Sequence, residues 1–279
     1  MWLKSAFISG YSTAAFLIVS TALYYSANTS MLSLIGASLG GGVFLLFLGY
    51  LFVVGSARTG ASLWPVTVAG IVGLLLALPD AAENPLHAAL AGLGLLGNLL
   101  YVFWYSRFGR AENELLEVGK RLPDFELQTG DGEIISSDEF CKQPSLLMFY
   151  RGNWCPLCMA QIKEVAAMYR KMEERGIKIY LISPQSHAQT SALADRFDVP
   201  MNFLVDKDNK AADRLQIKAE GGLPMGLQAL GYDSDTVMPT VVMTDNKGEI
   251  IFADLTDNYR VRPEPEDFLR IFDEKMASA

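Results

Sequence analysis

Hydrophobic side chains fill the first hundred residues in four long runs that polar positions barely interrupt. The runs cover residues 6–26, 31–55, 62–79 and 86–105. The charged side chains of residues 1–106 are Lys4, Arg58, Asp80 and Glu83. A helix needs roughly 20 apolar residues to cross ~30 Å of hydrocarbon. The pattern therefore predicts a transmembrane region of four helices over residues 1–106.

The few basic residues predict the orientation of this region. Lys4 precedes the first run, Arg58 lies between the second and third, and Arg107 follows the fourth. Cytoplasmic loops are enriched in Lys and Arg, so both termini are predicted inside, at a plasma membrane or bacterial inner membrane. The third run is short, and if it does not span, the C-terminal domain lies on the extracytoplasmic side instead.

The membrane region itself offers little chemistry. No cysteine lies in the four runs, and no ionisable residue lies deep within one, as proton or ion pathways would require. Gly36, Gly40, Gly41 and Gly42 are predicted to let a neighbouring helix approach closely, as small residues do in membranes. This half of the chain is interpreted as an anchor in the lipid bilayer, or as an assembly surface.

The pattern changes after residue 106. Residues 107–118 are polar and predict a linker, and residues 119–279 alternate short apolar runs with amphipathic ones. Leu146 to Tyr150 is a continuous apolar run, typical of a central strand buried on both faces. Spacings of three and four residues predict a helix from Cys158 to Met172. The order of these elements predicts an α/β domain with a mixed central sheet flanked by helices.

Composition removes several classes of function. The 279 residues carry a formal net charge of −8, and no run of Lys and Arg is present, so nucleic-acid binding is not expected. The chain has only three cysteines, Cys141, Cys155 and Cys158. Three are too few for a disulfide scaffold, so a pair spaced CxxC is interpreted as catalytic or metal-binding.

The stretch Trp154-Cys155-Pro156-Leu157-Cys158 follows the central strand and predicts a helix that opens on two thiols. Pro156 suits the first turn of a helix, where its missing N–H costs nothing. The positive end of the helix dipole stabilises a thiolate there. Two thiols one turn apart can alternate between a dithiol and an internal disulfide, so redox chemistry is the leading interpretation.

Metal binding by the cysteines and histidines is less well supported by the sequence than redox chemistry. A zinc site needs about four ligands, and only Cys141 and two distant histidines, His87 and His187, could add to the pair, so no metal is expected. Cys141 is interpreted as a plain surface or half-buried thiol, with a resolving or regulatory role as the alternative. No cofactor is expected beyond the Cys155–Cys158 couple itself.

At this point the C-terminal half resembles the thioredoxin superfamily, and within it the redoxin/peroxiredoxin-like branch of alkyl hydroperoxide reductase and thiol-specific antioxidant type. The resemblance covers about residues 117–275. Three segments carry it: Val118-Gly-Lys-Arg-Leu-Pro-Asp-Phe, Phe149-Tyr-Arg-Gly-Asn-Trp-Cys-Pro-Leu-Cys and Met238-Pro-Thr-Val-Val-Met-Thr-Asp-Asn-Lys-Gly. The ending Asn258-Tyr-Arg-Val-Arg-Pro-Glu-Pro-Glu is similar to that of peroxiredoxin-like proteins with a CxxC centre. The resemblance implies a thioredoxin-like fold for residues 119–279.

Departures from the peroxiredoxin motif Pro-x-x-x-Thr-x-x-Cys limit what the resemblance implies. Cys158 takes the place of the peroxide-attacking cysteine, Cys155 replaces the threonine and Arg151 replaces the proline. Pro239 stands where those enzymes have an arginine, and a proline there implies the cis proline of thioredoxins, facing the CxxC. Arg151 is a candidate source of positive charge for a thiolate, and Trp154 is a candidate wall of the substrate groove.

Three hypotheses follow. In the first, a membrane-anchored thiol–disulfide oxidoreductase, Cys155 is the more exposed thiol and attacks a protein disulfide, Cys158 resolves the mixed disulfide, and Pro239 with Thr240 holds the substrate strand. In the second, a thiol peroxidase, Cys158 attacks a hydroperoxide and Cys155 resolves. The third is a non-catalytic redox sensor or recruitment module. Both enzymatic hypotheses need a thiol reductant, such as a thioredoxin-type protein or glutathione.

Overall fold

A computed structural model describes residues 1–277 and divides the chain into two compact units. The first unit holds residues 3–107 together with 224–226. The second holds residues 1–2, 108–223 and the chain from 227 onward. Each unit is built from its own elements.

Four helices make the N-terminal unit: α1 (Trp2–Tyr24), α2 (Met31–Val53), α3 (Trp64–Ala77) and α4 (Pro85–Leu100). Helices α1, α2 and α4, the last extended by a π-helical turn to Tyr105, have 23, 23 and 21 residues and are long and apolar enough to cross a membrane. Helix α3 continues only as a short 3₁₀ turn to Asp80 and remains shorter than a full span. Three of the four predicted runs therefore have the length of a spanning helix.

Small residues let the helices of this unit touch backbone to backbone. A Cβ added at Gly36 would lie 2.4 Å from the carbonyl oxygen of Gly73, and one at Gly41 would lie 2.7 Å from that of Ala15. The predicted close approach is thus confirmed at Gly36 and Gly41, and at Gly40 against Ala91, whereas Gly42 has only an ordinary contact. Close packing of this kind is what holds helices together in membranes, where the hydrophobic effect does not drive helix association.

We expect Gly94→Ala to loosen this bundle, because a Cβ at Gly94 would lie 2.3 Å from the carbonyl carbon of Gly40, where only backbone could yield. Overpacking of this kind costs about 1–3 kcal/mol. Gly92→Ala on the same helix is the matched control, since its Cβ would meet only Leu74 at 4.0 Å. Denaturant titration of the full-length protein in detergent micelles measures both, and equal stabilities for the two variants would contradict the prediction.

Up to residue 277 the C-terminal unit has nine strands: β1 (Glu126–Gln128), β2 (Ile134–Ser136), β3 (Ser145–Phe149), β4 (Lys178–Ser183), β5 (Asn202–Val205), β6 (Lys218–Ala219), β7 (Thr236–Val237), β8 (Thr240–Thr244) and β9 (Ile250–Asp254). Seven of them form one sheet in the order β2-β1-β5-β4-β3-β8-β9. Strand β3 runs parallel to β4 and antiparallel to β8, and β4 runs parallel to β5. The predicted mixed α/β sheet is confirmed.

The helices of this unit are α5 (Ser137–Phe140), α6 (Pro156–Ala167), α7 (Tyr169–Glu173), α8 (His187–Ala194), α9 (Lys210–Arg214) and α10 (Pro265–Ala277). The single helix predicted from Cys158 to Met172 is two helices, because Met168 leaves the helical conformation (φ −96°, ψ 2°). The apolar spacing continues across this break, which is why the sequence pattern did not reveal it.

The segment predicted as a linker packs against the C-terminal unit. Leu116 is fully buried in the core that also holds Phe149 and Val242 of the sheet. The backbone N–H groups of Gly109 and Arg110 both donate to Asp257 Oδ1, at 2.6 and 2.9 Å. Residues 109–116 therefore pack as a structural part of the C-terminal unit.

Candidate active site

The two thiols follow the carboxyl end of the central strand β3, at the start of helix α6. All five residues of β3 are buried. The chain then turns through Gly152, whose φ of +141° suits glycine and whose Cβ, if present, would lie 2.8 Å from Trp154 Nε1. Cys155 is the N-cap residue of α6, and Pro156 is its first helical residue, as the motif predicted.

Both thiols are reduced and buried. Cys155 is only 2% exposed and Cys158 is fully enclosed. Cys158 lies in the first turn of α6, where the amide groups of the helix N-terminus are free of intrahelical partners. The thiol–disulfide exchange hypothesis expects Cys155 to be the more exposed thiol. In the structure both thiols are buried, and their exposed fractions differ little.

The pKa of Cys158 is lowered to about 5. Burial by itself would raise it, but a hydrogen bond from the Cys155 thiol, the charge of Arg262 and a hydrogen bond from the backbone N–H of Arg151 outweigh burial. The Arg262 Nη2 atom lies 3.5 Å from Cys158 Sγ. Cys158 is therefore the thiolate of the pair at neutral pH.

Cys155 has the opposite character. Burial raises its pKa well above the ordinary value, and its hydrogen bond to Cys158 and the negative charge of that sulfur raise it further. The charges of Arg262 and Arg151 lower it by less. The arrangement is a protonated thiol that donates to a thiolate, with the positive charges of Arg262 and Arg151 near the pair.

Arg262 is the residue that the sequence analysis missed. It is 7% exposed, its Nη1 donates to Gln161 Oε1 at 2.8 Å, and its Nε donates to the carbonyl oxygen of Tyr259 at 3.0 Å. These contacts aim the guanidinium at Cys158. The C-terminal segment that contains Arg262 was noted in the sequence only because it is similar to the ending of peroxiredoxin-like proteins. Peroxiredoxins have an arginine at the position of Pro239, and here Arg262 supplies the positive charge instead.

Arg151 and Trp154 form a stacked pair next to the CxxC turn. The guanidinium carbon of Arg151 lies 4.5 Å from the centre of the Trp154 ring, and Arg151 Nη2 donates to the carbonyl oxygen of Gly222. Arg151 is buried, whereas Trp154 is half-buried. The tyrosine ring of Tyr259 covers the same guanidinium at 5.8 Å.

Pro239 and Thr240 lie next to the end of the central strand, because Thr240 pairs with Phe149 in the sheet. The expected cis bond before Pro239 is wrong, since every peptide bond in residues 1–277 is trans. The Thr240 hydroxyl donates to the Met238 carbonyl at 2.8 Å and accepts from Arg110 Nη1 at 3.1 Å. Arg110 Nη2 also donates to the Pro239 carbonyl at 2.6 Å, so Arg110 closes this turn.

The remaining candidates lie in structural settings. Cys141 is buried, more than the sequence suggested, and burial raises its pKa. His87 belongs to the N-terminal unit, where its ring contacts Thr29 Oγ1 and the Ala22 carbonyl. His187 is the first residue of α8. Within residues 1–277, no three His, Cys, Asp or Glu side chains are grouped as metal ligands.

Comparison with known proteins identifies the family of the C-terminal domain. Residues 118–253 match the model of the AhpC/TSA family. The chain carries an AhpC/TSA redoxin domain of the thioredoxin-like superfamily. The Bacillus subtilis protein named "Thioredoxin-like protein YneN" agrees: it is 30% identical over 132 residues, which are 44% of this chain and 75% of that protein.

Other relatives of this AhpC/TSA chain carry names from both enzymatic hypotheses. The putative peroxiredoxin bcp of Helicobacter pylori is 30% identical over 100 residues, and the alignment spans 36% of this chain and 66% of that protein. The thiol-disulfide oxidoreductase ResA of Bacillus cereus is 23% identical, across 57% of this chain and 78% of that protein. Among solved structures, the peroxidoxin BcpB of Mycobacterium tuberculosis is 18% identical, covers 57% of this chain and 97% of its own, and has a TM-score of 0.47.

Proposed function

We propose that this protein is a membrane-anchored thiol peroxidase in which Cys158 attacks a hydroperoxide and Cys155 resolves the product. One observation carries the proposal: the guanidinium of Arg262 lies 3.5 Å from Cys158 Sγ, in the first turn of α6, where its charge favours the thiolate of Cys158 and lowers its pKa. The nucleophile in thiol chemistry is the thiolate. Arg262 beside that sulfur supplies the positive charge for a developing alkoxide or hydroxide, which is where electrostatic stabilisation is most effective.

The proposed reaction has two steps that use both thiols. The Cys158 thiolate attacks the terminal oxygen of the hydroperoxide, the O–O bond breaks, and the departing alkoxide takes the proton of the Cys155 thiol. Cys158 becomes a sulfenic acid and Cys155 a thiolate. The Cys155 thiolate then attacks the Cys158 sulfur, the S–O bond breaks, and hydroxide leaves as the internal disulfide forms. A thiol reductant restores the dithiol in each cycle.

The experiment that tests the proposal is rapid mixing of the reduced full-length protein, in detergent micelles, with hydrogen peroxide across a range of pH. Thiolate is the reactive form, so the second-order rate constant should be small in acid, rise with pH, reach half its maximum near pH 5 and stay level above that. A rate that keeps rising to about pH 8.5, where an ordinary thiol titrates, would contradict the proposal.

Thiol–disulfide exchange is the second candidate, and the position of Cys155 at the N-cap of α6 favours it. In that mechanism Cys155 attacks a protein disulfide and Cys158, with its low pKa, is a good leaving group. The same rapid-mixing apparatus separates the candidates when a small disulfide replaces peroxide. Faster reaction with the disulfide than with peroxide supports this second function.

The membrane location is part of the proposal. Three helices of spanning length support an integral membrane protein. The distribution of Lys4, Arg58 and Arg107 supports a cytoplasmic redox domain when the shorter helix α3, continued to Asp80, also crosses the membrane. With only three crossing helices, the same orientation of Lys4 places the domain on the extracytoplasmic side. A membrane-impermeant maleimide tests this with the variant Arg270→Cys, because the Arg270 side chain is exposed on α10 whereas the native thiols are buried. Labelling only after the cells are lysed agrees with a cytoplasmic domain, and labelling of intact cells places the domain on the extracytoplasmic side.

A further inference from the structure

Three consecutive residues at the start of the C-terminal unit bind to Asp257. The backbone N–H of Phe108 donates to the Asp257 carbonyl oxygen at 2.9 Å. The N–H groups of Gly109 and Arg110 both donate to Asp257 Oδ1, at 2.6 and 2.9 Å. Gly109 has a φ of +73°, the left-handed conformation in which successive N–H groups converge on one anion. Hydrogen bonds to a carboxylate are roughly twice as strong as neutral ones, so residues 108–110, the clamp, are held firmly on Asp257.

Asp257 is tied in turn to Arg262. The residues between them, Asn258, Tyr259 and Arg260, are all buried. The N–H of Arg260 donates to Asn258 Oδ1 at 3.1 Å, and Arg262 Nε donates back to the Tyr259 carbonyl at 3.0 Å, so the segment is a tight turn. A shift of Asp257 is therefore passed on to the guanidinium that lies beside the peroxide-attacking sulfur.

The clamp also binds the turn before β8. Arg110 donates to the Pro239 carbonyl at 2.6 Å and to Thr240 Oγ1 at 3.1 Å. Thr240 pairs with Phe149, the last residue of the strand that leads into the CxxC turn. Three residues thus join the two segments of the chain on which the site depends: the turn next to the central strand and the segment that carries the second arginine.

Two positive charges lie close together at the clamp. Burial lowers the pKa of Arg110 to about 10, and the positive charge of Arg262 acts in the same direction, while Asp254 and Asp257 oppose it. Asp254 also attracts Arg262. Two like charges that repel each other keep their places only while their surroundings hold them. Loss of the bonds to Asp257 should therefore let Arg262 leave its position 3.5 Å from Cys158 Sγ.

We propose that the clamp of residues 108–110, anchored on Asp257, positions Arg262 against the Cys158 sulfur. The inference rests on the proposed function for the role of Cys158, and it adds positioning residues that act on this sulfur through Arg262. The clamp directly follows the last residue of the N-terminal unit. The reactivity of the thiol is thus set in part where the chain leaves that unit.

The test is the change Asp257→Ala, which removes the acceptor of two backbone N–H groups. Loss of a negative charge would by itself favour the Cys158 thiolate and lower its pKa. Displacement of Arg262 has the opposite sign, and we expect the pKa of Cys158 to rise by about one pH unit from about 5. The thiolate present at pH 5 should then fall about fivefold. Thiolate absorbance, titrated with pH in the reduced full-length protein in detergent micelles, measures the shift, and every protein carries Cys141→Ser to remove the third thiol.

Asp245→Ala is the matched control. Asp245 Oδ1 also accepts from two backbone N–H groups, those of Lys247 and Glu249 at 2.8 and 2.9 Å, but it follows β8 at the end of that strand away from the clamp. This variant loses comparable bonds and should leave the titration of Cys158 unchanged. Asp257→Asn keeps an oxygen for the N–H groups of the clamp and should raise the pKa less than Asp257→Ala does.

The outcomes are decisive in both directions. A pKa of Cys158 that Asp257→Ala leaves unchanged or lowers overturns the inference, and so does an equal rise in Asp245→Ala. The titration uses no peroxide, so failure of the peroxide reaction would count only against the proposed function.

A second pair of variants serves if Asp257→Ala does not fold. Gly109→Ala changes no charge, and its Cβ would meet nothing within 4 Å, so it disturbs only the left-handed backbone of the clamp. It should raise the pKa of Cys158. Gly132→Ala, with a φ of +88° and equally open surroundings between β1 and β2, is its control and should not. Equal pKa values in these two variants would also overturn the inference.

Discussion

Replacing Cys158 by serine is expected to lower the rate of peroxide consumption by about three orders of magnitude or more, to the level of an ordinary thiol. Serine has a hydroxyl in place of the thiol and cannot form a thiolate. The Cys155 thiol that remains has a pKa well above the ordinary value because it is buried. The loss measures the nucleophile directly. Peroxide consumption by the full-length protein, followed in a single turnover, gives the result.

The companion variant Cys155→Ser should behave differently. Cys158 keeps the charge of Arg262 and the backbone N–H of Arg151, so its first reaction with peroxide should continue. Without Cys155 the sulfenic acid has no resolving partner and should accumulate, where a sulfenic-acid-selective reagent traps it. Cys141→Ser is the control and should match the wild type. If Cys158→Ser retained the activity and Cys155→Ser lost it, the roles of the two cysteines would be exchanged, as thiol–disulfide exchange requires.

Arg262→Met is expected to raise the pKa of Cys158 by about 1–3 pH units. The variant removes the charge and the donor 3.5 Å from the sulfur but keeps a side chain of similar length. A shift of about two units from the wild-type value, about 5, would leave roughly a tenth of the thiolate near pH 6, and peroxide consumption should fall about tenfold there. The titration of thiolate absorbance with pH measures the shift.

The sign of the pH dependence separates this electrostatic role from a merely structural one. Without Arg262 the Cys158 thiol still ionises, but at a higher pH. Much of the rate of peroxide consumption by Arg262→Met should therefore return above the new pKa. Arg262→Lys keeps a charge and should give a smaller shift. A uniform loss of rate at every pH, with the titration of Cys158 unchanged, would show that Arg262 only supports the fold.

The architecture of the redox domain was accessible from the sequence because its signals are local. The apolar run from Leu146 to Tyr150, followed by a turn and a proline in the first helical position, is sufficient to place a buried strand before a helix. The break at Met168 was not accessible, since apolar spacing continues through it. The shortness of α3 could be seen in the composition, but the point at which a helix stops inside an apolar run could not.

The electrostatics of the site could not be predicted because its charges come from far along the chain. Arg262 lies 104 residues after Cys158, and Arg110 lies 129 residues before the Pro239 carbonyl that it binds. Comparison of this sequence with the family motif showed only that Pro239 occupies the position where peroxiredoxins have an arginine. The fold brings another arginine to the thiol from the opposite end of the domain, and sequence spacing contains no sign of this.

The docking of residues 108–110 has a practical consequence for any attempt to isolate the redox domain. Phe108 N–H donates to the Asp257 carbonyl, and Arg110 holds the turn at Pro239. A soluble fragment cut at Gly119, where the fold seems to begin in the sequence, would lose both contacts as well as the buried Leu116. The shortest autonomous fragment should therefore start at Phe108, and activity lost on further trimming would reflect a missing scaffold strip rather than a missing membrane.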